Sequence, residues 1–351
     1  MDRQQLRFCT APDGVRIAVA TIGRGAPLLR AAHWLTHVEH DHASPVWRPW
    51  LDALSKHHTY IRYDQRGCGL SDREVADYSL PSWVGDLSAV IDALQLPRVP
   101  ILGMSQGGAV AIAYAVAHPE RVSHLVLAGA YARGSLRRDP SPAQQLEAHT
   151  LVNLIRVGWG SDNPAFREVF TRRFIKHGTP EQLQWWTELM RITSSADAAA
   201  RLLEAFHQVD VTELARQVRV PTLVLHARGD AAVPFEEGRL LASLIPGARF
   251  VTLDTDNHVL LSTEPAWGHF LAEVGDFLGA PPPTAADDGL TPAEREVLTR
   301  VARGLDNRAI AAELGKSEKT VRNQVSSILD KLGLHSRAEA IVHVRDRGAH
   351  R

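Results

Sequence analysis

Two stretches of this chain carry side chains whose types and spacing suit chemistry. In the first, an apolar run at 99–102 enters Gly103-Met104-Ser105-Gln106-Gly107, and an alanine-rich segment leaves it. A serine spaced this way between glycines, on a strand-to-helix turn, is held in a strained backbone with its hydroxyl exposed over the strand end. The helix N-terminus behind it favours negative charge. In the second stretch, "SEKTVRNQVSSILDKLG" at 317–333, Val321, Val325, Ile328, Leu329 and Leu332 recur at helical spacing and predict a buried face. The opposite face carries Lys319, Arg322, Asn323, Ser326 and Asp330. Arginine can bond guanine bidentately and asparagine can do so to adenine, so this face suits the major groove of DNA. The chemistry on offer is therefore nucleophilic attack at one place and base reading at another.

The elements that must position these residues alternate. Strand-like runs lie at 16–23, 58–64, 99–104, 124–130, 221–227 and 249–253, with helix-like stretches near 46–56, 82–95, 106–118 and 236–245. Such alternation predicts a mostly parallel sheet with helices on both faces. Residues 132–215 break the rhythm: they show helical periods, no clear strand, and Trp159, Phe166, Phe170, Phe174, Trp185, Trp186 and Phe206. They are expected to be a helical insertion covering one end of the sheet. Three prolines at 281–283, followed by small and acidic residues, predict a linker over 280–289. Beyond it, Thr291, Pro292 and Glu294 have the pattern of an N-cap, first turn and capping box. Val297, Leu298 and Val301 form an apolar stripe, and Gly304 ends that helix. A short helix from Asn307 buries Ile310, Ala311 and Leu314 and closes at Gly315. Ser317 caps a third helix, and Ser336 a fourth that carries Ala338, Ala340, Ile341 and Val344.

A chain of 351 residues with 44% hydrophobic and 23% charged residues is expected to form two globular domains. Residues 285–351 hold 12 basic and 10 acidic side chains, the rest 27 and 30, so the C-terminal part is only modestly positive. Charge alone does not make a nucleic-acid binder here. Cys9 and Cys68 form neither a disulfide framework nor a metal spacing. No apolar segment at the start suggests a signal peptide, and no run is long enough to span a membrane. These features fit a cytoplasmic protein. The segment "HWLTHVEHDH", with His33, His37, His40, Asp41 and His42, lacks the His-Glu-x-x-His spacing, so pocket lining or a loop is expected rather than a metal site. No cofactor is expected.

Residues 10–279 resemble the α/β-hydrolase fold. The resemblance rests on the serine turn, on "LVLHARGDAAVPFEEG" and on "DTDNHVLL". It implies a triad of Ser105, Asp230 and His258, in the chain order this fold uses. His258 would take the serine proton, and Asp230 would orient and stabilise the imidazolium. Asp254 and Asp256 precede His258 too closely for the family position. The implied oxyanion hole uses the Gln106 N–H and, in the loop "LLRAAHWLTH", the Trp34 N–H. There His33 stands where the family usually has glycine, so the loop is expected to follow a different path. Asp64, Arg66 and Cys68, in "RYDQRGCGLSD", are expected to be structural. Residues from 290 onward closely resemble the LuxR-type DNA-binding domain, with Gln324 where that family often has histidine. The resemblance implies that Arg322, Asn323 and Ser326 face bases, that Lys319, Thr320 and Lys331 contact phosphates, and that the fourth helix makes a dimer contact.

The expected organisation is an α/β-hydrolase-fold domain over 1–279 with a lid near 132–215, a linker over 280–289, and an all-α helix-turn-helix domain over 290–351. The expected function is a ligand-responsive, DNA-binding transcription regulator acting as a homodimer on a two-fold operator. Its ligand would be small, largely apolar and ester- or lactone-like. The alternative is a serine esterase tethered or regulated by its DNA-binding domain.

Overall fold

The structure is a computed structural model that describes residues 3–279, 291–332, 334, 336–337 and 339–341. The chain divides into two compact units, Met1–Ala280 and Pro281–Arg351. The expected linker at 280–289 lies outside the described residues, as do Ala338 and Val344.

The first unit runs β1 (Gln5–Thr10), β2 (Arg16–Ile22), β3 (Ala26–Ala31), α1 (Arg48–Ser55), β4 (His58–Tyr63), α2 (Leu80–Ala93), β5 (Val99–Met104), α3 (Gly107–Ala117) and β6 (Val122–Ala128). It continues with α4 (Pro142–Gly158), α5 (Ala165–Phe174), α6 (Pro180–Thr193), α7 (Ala196–Gln208), α8 (Thr212–Ala215), β7 (Thr222–Ala227), α9 (Phe235–Leu244), β8 (Arg249–Leu253) and α10 (Pro265–Leu278). The strands form one sheet in the order β1-β2-β4-β3-β5-β6-β7-β8. From β4 to β8 every pairing is parallel, while β2 pairs antiparallel with β1 and β4.

The central strands are apolar on both faces because helices cover both. Side chains alternate across a strand, so Ile101, Leu125, Leu127 and Val224 pack with Leu87 and Val90 of α2, Val110 of α3 and Leu241 of α9. Their neighbours Leu102, Val126, Leu223 and Leu225 pack on the other face with Trp50 and Leu51 of α1 and Phe270 of α10. The stretch between β6 and β7 is helical, α4 to α8, as its periodicity predicts. Its Trp159, Phe170 and Trp186 join the core on the α1 face.

Two strands lacked a clear signal in the sequence. In β1 Leu6 and Phe8 alternate with Gln5 and Arg7, but the pattern is short and both apolar side chains stay exposed at the sheet edge. In β3, Pro27 and Arg30 interrupt an apolar run. Arg30 is nevertheless buried, 3.6 Å from Asp41, which also pairs with Arg62 at 3.3 Å. A paired charge can be buried where an unpaired one cannot.

The second unit contains α11 (Pro292–Ala302), α12 (Asn307–Leu314) and α13 (Glu318–Leu332). The capping box of Thr291 and Glu294 is formed in both directions. The Asp306 side chain caps α12, and Gly315 at φ 61° ends it. Val297, Val301, Ile310, Val321, Ile328 and Ala340 share one core, against which Leu314, Val325, Leu329 and Leu332 pack.

Candidate functional site

Ser105 follows β5 directly and precedes α3, at φ 50°. A positive φ is costly for a residue with a side chain. Here it is held by the Ser105 N–H donating to Ala128 O at 3.0 Å and by Ser105 O accepting from Gly108 N at 3.0 Å. The glycine before the turn is required by space, since a Cβ on Gly103 would lie 2.7 Å from Gly108 Cα.

Asp230 follows β7 and His258 follows β8, so parallel neighbouring strands deliver both to the same edge of the sheet as Ser105. His258 Nδ1 donates to Asp230 Oδ2 at 2.6 Å. Asp230 Oδ1 accepts from the Ala232 and Val233 N–H groups, each at 2.8 Å. Burial alone would raise the Asp230 carboxyl, but His258 and these hydrogen bonds outweigh it and hold the carboxyl below the usual range. Gly129, at φ 57°, passes so close that a Cβ there would sit 3.0 Å from His258 Cε1. His226, fully buried, stands 3.7 Å from the same carboxylate oxygen, and its Nε2 donates to Val233 O at 3.1 Å. Burial lowers its pKa against the opposing pull of the Asp230 carboxylate. Neither Gly129 nor His226 is singled out by the sequence: Gly129 matters through contact with His258 on another strand's loop, and His226 through a turn that folds Asp230 and Val233 back onto it.

The loop after β3 carries His33 and Trp34. The Trp34 N–H donates to Gln106 Oε1 at 2.8 Å. With the Gln65 amide oriented to satisfy both its ends, Gln65 Oε1 accepts from Gln106 Nε2 at 3.1 Å and from Trp83 Nε1 at 3.2 Å, and its Nε2 donates to His33 O at 3.2 Å. His33 Nδ1 donates to Trp34 O at 2.9 Å. Burial, and then the Arg30 charge, push the His33 pKa down to about 3, so the ring is neutral. Leu35, next in the loop, has φ 66°, which turns the chain sharply two residues after the place where the family pattern has its glycine.

Ser105, Gln106, His258, Asp230, His33 and Trp34 all line one cavity with an accessible volume of about 290 Å³. The lid supplies its opposite wall. Trp34 stacks on Trp159 at 5.7 Å and meets Phe170 and Phe174 edge-on at 5.9 Å. Phe174 lies 5.7 Å from the His258 ring. Polar groups stand further along the wall, notably Arg138, His207 and the Arg173–Glu147 pair at 2.8 Å. Asn257, beside His258, staples the lid down: its Oδ1 accepts from the Lys176 and His177 N–H groups at 2.7 and 3.0 Å. In this setting an apolar acyl compound can lie against a serine, an imidazole fixed by a carboxylate, and a helix N-terminus, the parts required for acyl transfer.

The other candidates are dispersed. His40 stacks on Trp185 at 4.7 Å, His37 accepts from the His40 N–H, and His42 faces Arg48. Asp64, whose carboxyl burial raises to about 7, accepts from the Val38 and Leu70 N–H groups at 2.8 Å. Arg66 is clamped by Asp86 and Asp13. Cys68 is buried, which pushes its thiol up to about 12, so it is no thiolate.

In the second unit Lys319, Thr320, Arg322, Asn323 and Ser326 are exposed on one side of α13. Arg322 makes a 3.2 Å contact with Glu318 one turn back. Lys331 is engaged: its Nζ lies 2.7 and 2.8 Å from the two carboxylate oxygens of Glu294. That lysine, the Thr291 N–H and Ser327 hold the Glu294 carboxyl down at about 2.

Among the described residues no helix is long and apolar enough to cross a membrane. The family model for the alpha/beta hydrolase fold matches residues 41–265, and that for bacterial regulatory proteins of the luxR family matches residues 288–344. A putative carbamate hydrolase of Azorhizobium caulinodans is 30% identical over 255 residues, covering 69% of this chain and 88% of that protein. The 2-hydroxy-6-oxo-2,4-heptadienoate hydrolase of Pseudomonas putida is 29% identical, covering 67% and 83%. An esterase from Exiguobacterium antarcticum superposes with a TM-score of 0.67 at 27% identity, covering 78% of this chain and 98% of that one. An enol-lactonase from Burkholderia xenovorans gives 0.65 at 26%, covering 78% and 100%. The sheet order, the serine turn and these matches agree: the chain belongs to the α/β-hydrolase fold family and joins that domain to a DNA-binding domain of the LuxR family of bacterial regulatory proteins.

Proposed function

We propose that this regulator is ligand-responsive, and that its ligand is a small, largely apolar ester or lactone held between Ser105 and the lid. The observation that carries the reading is the cavity of about 290 Å³, walled by Trp34, Phe170, Phe174 and Trp186 and opening on Ser105 and His258, in a chain that also bears a DNA-reading helix. A mostly apolar pocket with a few convergent polar groups suits such a ligand. Two structural neighbours are an esterase and an enol-lactonase, which supports the same compound class. Ser105, Asp230 and His258 act as nucleophile, orienting acid and base, and the N–H groups of Gln106 and Trp34 are assigned to the oxyanion hole, the second of them bonded in this structure to the Gln106 side chain. Lys319, Thr320 and Lys331 are assigned to phosphates, and Arg322, Asn323 and Ser326 to bases, in a homodimer on a two-fold operator.

A second reading, an esterase that signals through its product, is favoured by the short Asp230–His258 hydrogen bond of 2.6 Å. One experiment separates the two. A preferred site is first recovered from a random duplex library with the full chain. Its affinity is then measured with and without a series of alkyl esters and γ-lactones, for wild type and Ser105→Ala. A ligand acts only through its differential affinity for two states, typically about 1–3 kcal/mol of coupling. A ligand sensor keeps its response in Ser105→Ala, and longer-lived if wild type slowly destroys the compound. Loss of the response with binding retained identifies the product-signalling enzyme. No response to any compound in wild type refutes the ester or lactone assignment.

A further inference from the structure

Of the two oxyanion donors, the Gln106 N–H and the Trp34 N–H, only one is open to the cavity. The Gln106 N–H sits at the N-terminus of α3, where the helix supplies no acceptor. The Trp34 N–H is committed to the Gln106 side chain at 2.8 Å. That side chain is no surface amide free to swing away. Gln106 is 2% exposed, and its Nε2 is tied to Gln65, also 2% exposed, which is in turn held by Trp83 and by the carbonyl of His33. The carboxamide is thus fixed at both ends, and its carbonyl oxygen holds the donor that a carbonyl substrate needs. Nothing in a Gly-x-Ser-x-Gly turn demands glutamine at this place; a side chain without an acceptor would leave the Trp34 N–H free.

We propose that the Gln106 carboxamide is an internal surrogate for the substrate oxyanion, occupying the Trp34 N–H so that an ester or lactone in the cavity is retained rather than rapidly cleaved. The proposal rests on the reading of Ser105, Asp230 and His258 as a triad facing such a ligand. In the complete reaction the Ser105 Oγ bonds to the acyl carbon, the carbonyl π pair moves onto oxygen, and the serine proton passes to His258. Collapse re-forms the carbonyl and breaks the bond to the leaving oxygen, which takes the proton from His258; water then attacks the acyl-serine while His258 takes its proton, and collapse releases the acid and returns that proton to the Ser105 Oγ. The oxyanion between these steps has one donor instead of two, and one such donor is worth roughly 10²–10³ in turnover. Gln106, through its side chain, is a positioning residue that sets which way the Trp34 N–H is spent. Gln65 is the anchor that keeps it there.

The test is Gln106→Met in the full-length protein. Methionine keeps the length and bulk of the side chain, removes the amide, and leaves the backbone N–H of residue 106 in place. Hydrolysis of p-nitrophenyl butyrate and fluorophosphonate labelling of Ser105 are measured beside wild type. The expected result is a kcat at least about tenfold higher with KM little changed, the mark of a group that acts only in the transition state. A folded variant that labels at Ser105 yet turns over no faster overturns the inference and leaves the ligand-sensing reading standing. Absence of labelling at Ser105 in both proteins overturns the triad assignment and this inference with it. Gln65→Leu, which loosens the anchor while keeping Gln106, is expected to raise kcat in the same direction at steady KM, and it replaces Gln106→Met if that variant does not fold. A crystal structure of wild type with a phosphonate on Ser105 reads the same point directly. The expected phosphoryl oxygen contacts the Gln106 N–H alone, with Trp34 still bonded to the carboxamide. A phosphoryl oxygen bonded by both N–H groups, with Gln106 unmoved, overturns the proposal.

Discussion

Arg322 and Lys331 belong to one helix but differ in what each would leave behind if it met DNA as proposed. Arg322 gives up an exposed pair with Glu318, and such pairs on helices are worth only about 0.3–0.5 kcal/mol. Arg322→Ala is therefore expected to weaken binding to the preferred site by about 1–3 kcal/mol and to relax the choice at one base, read from titrations against single-base variants. Lys331 must share itself with Glu294. In salt titrations Lys319→Ala should flatten the slope by about 0.9 and Lys331→Ala by less. The same contact has a pH signature. The Glu294 pKa lies near 2, below its ordinary value, so this group's contribution to stability is present above about pH 4.5 and lost as pH falls toward 2. In Lys331→Ala the Glu294 carboxyl should titrate nearer the ordinary glutamate value, visible by NMR. His33 is shifted in the same direction and carries the same sign. Its folded pKa near 3 lies below the usual 6.5, so the unfolded chain takes up the proton first, and this group makes stability fall as pH drops from 6.5 toward 3. Asp64, raised to about 7, acts with the reverse sign over much of that range. The two offset each other in any unfolding curve, so the residue-level observable is the test. The His33 ring should show no titration step between pH 5 and 8.

At the scale of elements, the site depends on how the lid is fastened to the loop after β8. Asn257 is 1% exposed, and its side-chain oxygen serves the Lys176 and His177 N–H groups of the α5–α6 connection, while its Nδ2 donates to Glu264 at 2.8 Å. The Val259 N–H donates to Phe174 O at 3.1 Å, a second stitch beside His258. Asn257→Ala leaves two part-buried backbone donors and the Glu264 carboxylate without their partner, where a fully buried unsatisfied group costs roughly 1–3 kcal/mol. The expected loss is about 2 kcal/mol or more in urea unfolding, together with slower fluorophosphonate labelling of Ser105 because His258 loses its fixed loop. Unchanged stability and unchanged labelling would show that the lid is held by its aromatic packing alone. The same dependence on partners explains β1 and β3, whose sequences carry a weak strand signal. β1 lies at the sheet edge paired only with β2, and β3 sits between β4 and β5, where neighbouring strands supply the hydrogen bonds that propensity does not promise.

For the whole molecule, the modest positive charge of residues 285–351 bounds what one copy can do. Few phosphate contacts per copy mean weak, salt-sensitive binding. Two copies double those contacts and select a site with matching two-fold symmetry. Sedimentation of the full chain with its preferred duplex is expected to give two copies per site, and a footprint is expected to cover two half-sites. One copy over one half-site would remove the dimer from the reading.

The sequence by itself determined whatever is written in local geometry. A serine between glycines on a strand-to-helix turn, the parallel rhythm of strands and helices, the capping box of Thr291 and Glu294, and the apolar stripe of α13 each depend on backbone dihedrals and side-chain period, and neighbouring residues set both. Asp230 and His258 were suggested by the resemblance of their segments to the α/β-hydrolase fold, and the structure brings the two side chains together because parallel strands end at one edge. The tertiary structure alone decided how the polar groups are spent. That Trp34 donates to Gln106, that Gln65 anchors Gln106, that Gly129 makes room for His258, and that Lys331 answers to Glu294 are matters of tenths of an ångström between residues far apart in the chain. A backbone N–H has one proton and a buried carboxamide has one carbonyl. Which partner each takes is settled by packing, and no local pattern of residues records it.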